Sequence, residues 1–192
     1  MVVDVGTGDG RTVLARARRS PAALILGVDA SADAMREASR RAAAAPARGG
    51  LANARFFVES AEALPGPLAT AADLVTVTMP WGSLLRGVLG QDDAVLRGLA
   101  RLLAPDGRLE ALVSATPRDR VPGIAELVPA HREPIARAAA AAGLRLIDFR
   151  PVTQDEVIAT GSSWARRLGA RPVWRIATVA ACGRRGTSSS SG

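Results

Sequence analysis

The chain opens with a short apolar run that leads into glycines at alternate positions, Val3-Asp4-Val5-Gly6-Thr7-Gly8-Asp9-Gly10. Glycines placed between a strand and a helix let the backbone approach a ligand that side chains would block. A second acid, Asp29, ends the next apolar run 25 residues after Asp4, where a ribose needs an acceptor for its hydroxyls. The pattern predicts a loop that binds a nucleotide-type cofactor. The alternative is a plain strand-turn-helix whose glycines serve only the turn.

The spacing of the glycines indicates which cofactor this loop would bind. The dinucleotide fingerprint Gly-x-Gly-x-x-Gly has two residues before its third glycine, whereas here Asp9 alone separates Gly8 from Gly10. An acid inside the loop repels a pyrophosphate. S-adenosylmethionine has no phosphate and carries a cationic sulfonium and an ammonium group, so Asp4 and Asp9 favour this cofactor.

A tryptophan follows the predicted fourth strand in Thr78-Met79-Pro80-Trp81-Gly82-Ser83. Pro80 fixes the direction of the backbone just before the indole. In an α/β methyltransferase fold, the end of this strand faces the transferable methyl group, so Trp81 is placed to stack on a planar acceptor. The alternative is that Trp81 packs in the core at the start of the next helix.

A second tryptophan lies near the C-terminus beside three arginines, in Ser162-Ser163-Trp164-Ala165-Arg166-Arg167-Leu168-Gly169-Ala170-Arg171. An aromatic ring with arginines is typical of a surface that stacks a base and contacts its flanking phosphates. A solvated basic helix anchored by one tryptophan is the alternative for this segment alone. Taken together, Trp81 and Trp164 suggest two indoles that sandwich one extruded base.

The elements that must position these residues alternate between short apolar runs and helical stretches rich in alanine and arginine. This alternation predicts an α/β fold with helices on both faces of a mostly parallel seven-stranded sheet and a ligand at the carboxyl ends of the strands. Seven strands with a terminal hairpin-like pair would give the methyltransferase version of this architecture, the Rossmann-like fold of class I methyltransferases that depend on S-adenosylmethionine. We predict strands at 2–5, 23–29, 54–58, 73–78, 107–114, 144–151 and 173–181. We predict helices at 10–19, 31–44, 83–103 with a break around Gly90, 132–142 and 153–168.

Length and composition predict one domain over residues 1–185, followed by a disordered serine-rich tail over 186–192. All 25 basic residues are arginine, and the net charge of +7 favours attraction to phosphates or simply solubility. Cys182 is the sole cysteine, so neither an intrachain disulfide nor a Cys/His metal cluster is expected. No apolar stretch is long enough to span a membrane. We therefore expect a cytoplasmic protein, monomeric and without a metal.

The sequence resembles a known family, the aminoglycoside-resistance methyltransferases that modify N1 of adenine 1408 in 16S rRNA. The matching segments are collinear and extend over nearly the whole chain. They are 4–10 at the glycine loop, 46–53, 61–65, 80–85 with its Pro-Trp-Gly, and 163–168 with its Ser-Trp-Ala-Arg-Arg-Leu. The two tryptophan segments are more specific than the glycine loop.

The resemblance implies a role for each matching residue. In the cofactor site, Asp4, Gly6 and Gly8 would surround the methionyl end of S-adenosylmethionine, Asp29 the ribose, and Ala61 with Glu62 the adenine. Ser83 and Ser162 would close over the donor. Trp81 and Trp164 would hold the flipped target adenine. The 16S rRNA of the 30S subunit would be gripped by four arginines, Arg48, Arg166, Arg167 and Arg171.

The resemblance has limits that keep other functions open. The family has an N-terminal hairpin and short helix before its first strand, whereas this sequence begins inside that strand at Met1. Segment 116–133, with its prolines, matches too weakly for any role to be assigned. Besides rRNA methylation, the alternatives are a truncated paralogue that binds rRNA without turnover and a methyltransferase that acts on a small molecule.

Overall fold

The computed structural model describes residues 1–160 and 171–181. A seven-stranded sheet has the strand order β3-β2-β1-β4-β5-β7-β6, and only β7 runs antiparallel to its neighbours. The strands are β1 Val2–Val5, β2 Ile25–Asp29, β3 Ala54–Val58, β4 Ala72–Thr78, β5 Leu103–Val113, β6 Leu144–Pro151 and β7 Trp174–Ala180. This sheet confirms the predicted methyltransferase fold.

Six α-helices connect the strands within the described residues. They are α1 Arg11–Arg19, α2 Ala32–Ala42, α3 Gly82–Val88, α4 Asp93–Leu102, α5 Arg132–Ala141 and α6 Gln154–Ala159. None of these helices is long and apolar enough to cross a membrane.

The central strands are apolar because helices cover both faces of the sheet. Val3, Ile25, Val28, Val75 and Val77 are completely buried. Alternate residues of the strands contribute to two separate apolar clusters, one built with α1 and α2 and the larger one with α3, α4 and α5. Each such side chain contributes about 1.5–3 kcal/mol when fully buried, so these strands form a rigid frame for the loops at their ends.

The predicted break near Gly90 is confirmed, whereas several other predicted boundaries shift. The helix predicted over 83–103 is two helices, separated where Gly90 adopts φ 77° and Asp92 caps α4 by accepting from the Val95 N–H. β5 begins at Leu103 rather than at 107, because Leu103 pairs with Ala72 across a register shift in β4. Of the helix predicted over 153–168, the described residues contain α6 over Gln154–Ala159, after which the Thr160 hydroxyl donates to the Val157 carbonyl. Positions 161–168 of this prediction lie outside the described residues.

The segment 116–133, which carries no motif with an assignable role, is anchored to the main core. Its buried side chains are Val121, Ile124 and Leu127. A short helical turn over Pro117–Asp119 is capped by Thr116, whose N–H and hydroxyl both donate to the Asp119 carboxylate. The connection after β5 is therefore a packed part of the domain.

Helix α6 is tied to the sheet by charge. The Glu156 carboxylate accepts the Thr153 N–H, and the Thr153 hydroxyl accepts the Glu156 N–H, which forms a capping box. Arg150, at the end of β6, donates to both carboxylate oxygens of Glu156 at 3.1 and 2.5 Å. These hydrogen bonds, first of all those from Arg150, lower the pKa of Glu156 to about 2.

We predict that Glu156→Gln destabilises the protein at neutral pH. The pKa of Glu156 in the folded protein, about 2, lies below its ordinary value of 4.5, so its contribution is complete above pH 4.5 and is lost as the pH falls toward 2. In thermal melts the Tm difference between wild type and variant should be present at pH 7 and close progressively between pH 4.5 and 2. Asp155→Asn, a charge removal in the same helical turn, is the control. A Tm difference that stays constant with pH would contradict the prediction.

Candidate active site

A cavity of about 370 Å³ opens at the carboxyl ends of β1, β2 and β4, the usual position of ligand sites in open α/β sheets. Its size is typical of small-molecule sites. Three groups of residues line it: the glycine loop from Asp4 to Asp9 with Thr12, the segments after β2 and β3, and the loop from Thr78 to Leu84. The predicted glycine loop, Asp29 and Trp81 therefore border one cavity.

Asp4 is the buried charge at the base of this cavity, with a relative exposure of 7%. Its Oδ2 accepts the hydroxyls of Thr7 and Thr12, both at 2.8 Å, and its Oδ1 accepts the Thr76 hydroxyl at 2.6 Å. Hydrogen bonds of this number offset the desolvation of a buried carboxylate. Asp4 therefore holds the glycine loop, α1 and β4 together, in addition to bordering the cavity.

Asp29 is half-buried at the end of β2, and its two oxygens are separately fixed. Oδ2 accepts the Gly8 N–H at 2.8 Å, and Oδ1 accepts the Ser31 N–H at 2.9 Å. A carboxylate oxygen has further acceptor capacity after one such bond. Asp29 can thus offer two oriented acceptors to a pair of vicinal hydroxyls.

Gly6 shows why this loop requires glycine. It has φ 72°, and a Cβ atom built on it would lie 2.6 Å from Cδ2 of Leu84 in the facing loop. Any larger residue would strain the backbone and force the Leu84 side chain to move.

The cavity is acidic. Five carboxylates line it, from Asp4, Asp9, Asp29, Glu59 and Glu62, and no arginine or histidine is among its described lining residues. Such a site repels phosphates and attracts cations. The donor and acceptor set fits S-adenosylmethionine, which is cationic at sulfur and carries no phosphate, better than a dinucleotide.

The loop after β4 presents a tryptophan at the rim of the cavity. Met79 has φ 52°, which is unusual for a residue other than glycine, and its N–H donates to the Leu112 carbonyl at 2.8 Å. Pro80 is buried, whereas Trp81 is 81% exposed and caps the start of α3. The alternative in which Trp81 packs in the core is wrong. Ser83, in the first turn of α3, also lines the cavity.

Ala61 and Glu62 line the cavity on the side of α4. Ala61 is buried and Glu62 is exposed. Behind them, a Cβ atom placed on Gly98 of α4 would lie 2.0 Å from the Ala61 carbonyl oxygen. The position of this wall therefore depends on residue 98 of α4 being glycine, since any side chain there would displace Ala61.

Of the predicted arginines, the two within the described residues, Arg48 and Arg171, do not line the cavity. Arg171 is exposed just before β7. Arg48 is exposed in the turn that precedes β3, so it lies at the amino ends of the parallel strands, roughly 15 Å or more from the cavity. Ser162, Trp164, Arg166 and Arg167 lie outside the described residues, and no metal-binding group of His, Cys, Asp or Glu occurs within the described residues.

Sequence reasoning missed Glu59 and the support from Gly98. Glu59 directly follows β3, and its N–H donates to the Asp29 carbonyl at 3.1 Å. Because carboxyl ends of parallel strands meet at one edge, the polar residue after the predicted strand 54–58 was a usable signal. The close contact at Gly98 had no signal in the sequence.

Residues 1–182 match the sequence model of the family described as NpmA, 16S rRNA (adenine(1408)-N(1))-methyltransferase. The chain belongs to this family. A 16S rRNA (adenine(1408)-N(1))-methyltransferase of Streptoalloteichus hindustanus is 43% identical over 177 residues, which cover 88% of this chain and 80% of that relative.

Solved structures agree with this assignment. A tryptophan-to-alanine mutant of the 16S rRNA (adenine(1408)-N(1))-methyltransferase from Catenulisporales acidiphilia, crystallised with cosubstrate SAM, is 36% identical and superposes with a TM-score of 0.86, over 95% of this chain and 86% of that one. The aminoglycoside resistance methyltransferase NpmB1 is 37% identical, with a TM-score of 0.78 over 93% of this chain and 86% of that one.

Within this family member, Gly98→Ala should weaken cofactor binding. Alanine favours a helix by roughly 0.5–1 kcal/mol over glycine, so a loss must come from the clash with the Ala61 carbonyl, which pushes the wall into the cavity. We expect the Kd for S-adenosylmethionine, measured by calorimetry, to rise at least about tenfold, or 1.4 kcal/mol.

The matched control for Gly98→Ala is Gly50→Ala. Its Cβ atom would lie 1.7 Å from the Ala44 carbonyl oxygen, an equivalent clash at the sheet end opposite the cavity. This variant should melt at a lower temperature and keep the Kd of wild type. Equal Kd values for both variants would show that Gly98 does not determine the position of the cavity wall at Ala61.

Proposed function

We propose that this protein transfers a methyl group from S-adenosylmethionine to N1 of adenine 1408 of 16S rRNA in the 30S subunit. The proposed enzyme acts as a cytoplasmic monomer and confers resistance to kanamycin- and apramycin-type aminoglycosides. The observation that carries this proposal is an exposed indole, Trp81, at the rim of an acidic cavity, in a member of a family described by this reaction.

In this proposal the cavity residues hold the cofactor, which supplies an electrophilic methyl group when bound. Asp29 accepts from the ribose hydroxyls, because its two oxygens are held apart by the Gly8 and Ser31 N–H groups. Ala61 and Glu62 flank the adenine. Asp4, Gly6 and Gly8 surround the methionyl group, and Ser83 and Ser162 close over it. The acidic lining supports a cationic ligand.

The target adenine stacks on Trp81. An indole that is 81% exposed offers a large apolar face that no described residue covers, and such faces bind bases with about 1–3 kcal/mol per base. Extruding a base from a helix costs a few kcal/mol. One ring therefore roughly balances this cost, and the second ring predicted at Trp164 would give the surplus.

The reaction requires no general base from the protein. Adenine N1 carries an in-plane lone pair and no proton, so proximity and alignment supply the rate enhancement. The chain has one histidine, His131, and it is not among the residues that line the cavity. Its Nδ1 accepts the Val128 N–H at 3.0 Å, a local structural role.

Recognition of the folded rRNA relies on arginines outside the cavity. The chain carries a net charge of +7 while its cavity is acidic, so the phosphate backbone is attracted to the outer surface. Arg166, Arg167 and Arg171 belong to the connection before β7, which enters the sheet at the cavity edge. Arg48 contributes to docking from the other end of the sheet.

Primer extension on 30S subunits tests the function. Subunits incubated with the protein and S-adenosylmethionine should give a reverse-transcriptase stop next to adenine 1408, because N1 methylation blocks pairing, and subunits without cofactor should not. A protein that binds 30S without producing a stop would be a non-catalytic paralogue, and the proposal would be wrong.

The same assay tests the indoles. Trp81→Ala and Trp164→Ala should each abolish the stop, because the base loses its stacking partner. Each variant should keep the Kd for S-adenosylmethionine within about twofold, since the indoles stabilise the bound base and not the cofactor. Trp81→Phe, which keeps an aromatic face, should retain part of the activity. Loss of cofactor binding in both alanine variants would reject the role in base binding.

The arginines are tested by salt dependence. Arg166→Ala with Arg167→Ala should weaken 30S binding and reduce the slope of log K against log salt by about 1 for each phosphate that is no longer neutralised. Arg171→Ala should act in the same direction. The control pair is Arg108→Ala with Arg145→Ala, two exposed arginines that pair with Val179 from either side, at the end of β7 away from the cavity. An unchanged slope in the first pair would favour a small-molecule substrate.

A further inference from the structure

A third apolar cluster lies apart from the two large ones, and we call it the Met79 cluster. It consists of buried Val157 and Val173, against which Met79, Leu112 and Val152 pack while partly buried. The five residues come from the loop after β4, from β5, from the segment before α6, from α6 itself, and from the entry to β7. The cluster therefore joins segments that are far apart in sequence at the cavity edge of the sheet.

Within this cluster, Met79 is the member connected to the candidate base-binding loop. Its backbone is fixed by the hydrogen bond from its N–H to the Leu112 carbonyl, and the next residue, Pro80, is buried. Trp81 follows only two residues later and is exposed. The side chain of Met79 therefore packs into the cluster while the chain just beyond it presents the indole.

Val157 and Val173 lie at the two ends of the connection between α6 and β7. Val157 lies in α6, and Val173 directly precedes β7. The Val152 N–H donates to the Val173 carbonyl at 2.9 Å, so the start and the end of this connection are also joined by backbone. The intervening sequence contains Trp164, Arg166 and Arg167.

We propose that Met79 is a positioning residue that fixes the loop of Trp81 against both anchors, Val157 and Val173, of the connection that contains Trp164. This role rests on the proposed function, in which both indoles contact one base. Methionine suits it because a flexible thioether can fill an irregular gap between three segments. In a cluster this small, removal of one large side chain eliminates much of the packing.

The first test compares Met79→Ala with Met79→Leu and with Met35→Ala. Leucine conserves the volume, and Met35 is a buried methionine of α2 that lies outside the Met79 cluster. Met79→Ala should lower kcat/KM for 30S by about 10- to 100-fold, as expected for displaced reacting groups. Because Met79 also lines the cavity, the Kd for S-adenosylmethionine should rise as well, but by a clearly smaller factor. Met79→Leu should restore most of the rate.

Met35→Ala separates positioning from stability. It should lower the Tm at least as much as Met79→Ala does and still methylate 30S at the wild-type rate below its melting temperature. If both variants lose methylation activity to the same extent for a given decrease in Tm, Met79 has only a structural role and the proposal is overturned.

A second measurement does not depend on methylation. Trypsin cleaves after Arg166 and Arg167, and mass spectrometry identifies these bonds among the products. In Met79→Ala both bonds should be cleaved several-fold faster than in wild type, whereas Met79→Leu and Met35→Ala should match wild type. Equal cleavage in all four proteins would overturn the positioning role, and a selective rise without any 30S methylation by wild type would instead refute the proposed function.

Discussion

Three hydroxyl groups, from Thr7, Thr12 and Thr76, donate to one buried carboxylate, that of Asp4. They belong to the glycine loop, to α1 and to β4, so a single charge ties together the three elements that meet below the cavity. Hydrogen bonds to a charged group contribute about 1.5–3 kcal/mol each, and a buried charge left without them is costly. The loop can hold several glycines at positive φ because the Asp4 carboxylate fixes Thr7 within the loop, and Thr12 and Thr76 beside it.

The distribution of charge complements this construction. The chain is strongly basic as a whole, yet its cavity is lined by carboxylates alone among charged groups of the described residues. A nucleic acid is attracted to the outer surface and its phosphates are repelled from the cavity mouth. In the proposed function, the base that reaches Trp81 is neutral and separated from its backbone by extrusion, so this repulsion does not oppose it. The acidic lining would then favour the cationic cofactor and keep phosphates outside the cavity.

Much of this arrangement could be predicted from the sequence. The strands β1, β3 and β6 have the predicted bounds, because apolar runs between helices and turn residues leave few alternatives. The position of Asp29 and Trp81 at one cavity could be predicted because each lies at or just beyond the end of a strand, and parallel strands bring such residues to one edge.

What could not be predicted depends on contacts between distant segments. The start of β5 at Leu103 follows from pairing with Ala72, and the support of Ala61 by Gly98 depends on how α4 packs. Neither leaves a local pattern. The Met79 cluster is of the same kind, since its members are spread along the chain from Met79 to Val173 and only the folded chain brings them together.

The antiparallel direction of β7 has a practical consequence. This strand begins at Trp174, on the cavity side, and runs to Ala180 at the far end of the sheet. Its seven residues span roughly 23 Å. A fluorophore or an immobilisation tag attached beyond Ala180 would start at the end of the sheet opposite the cavity, so the cavity mouth would stay accessible in surface-based measurements of cofactor binding.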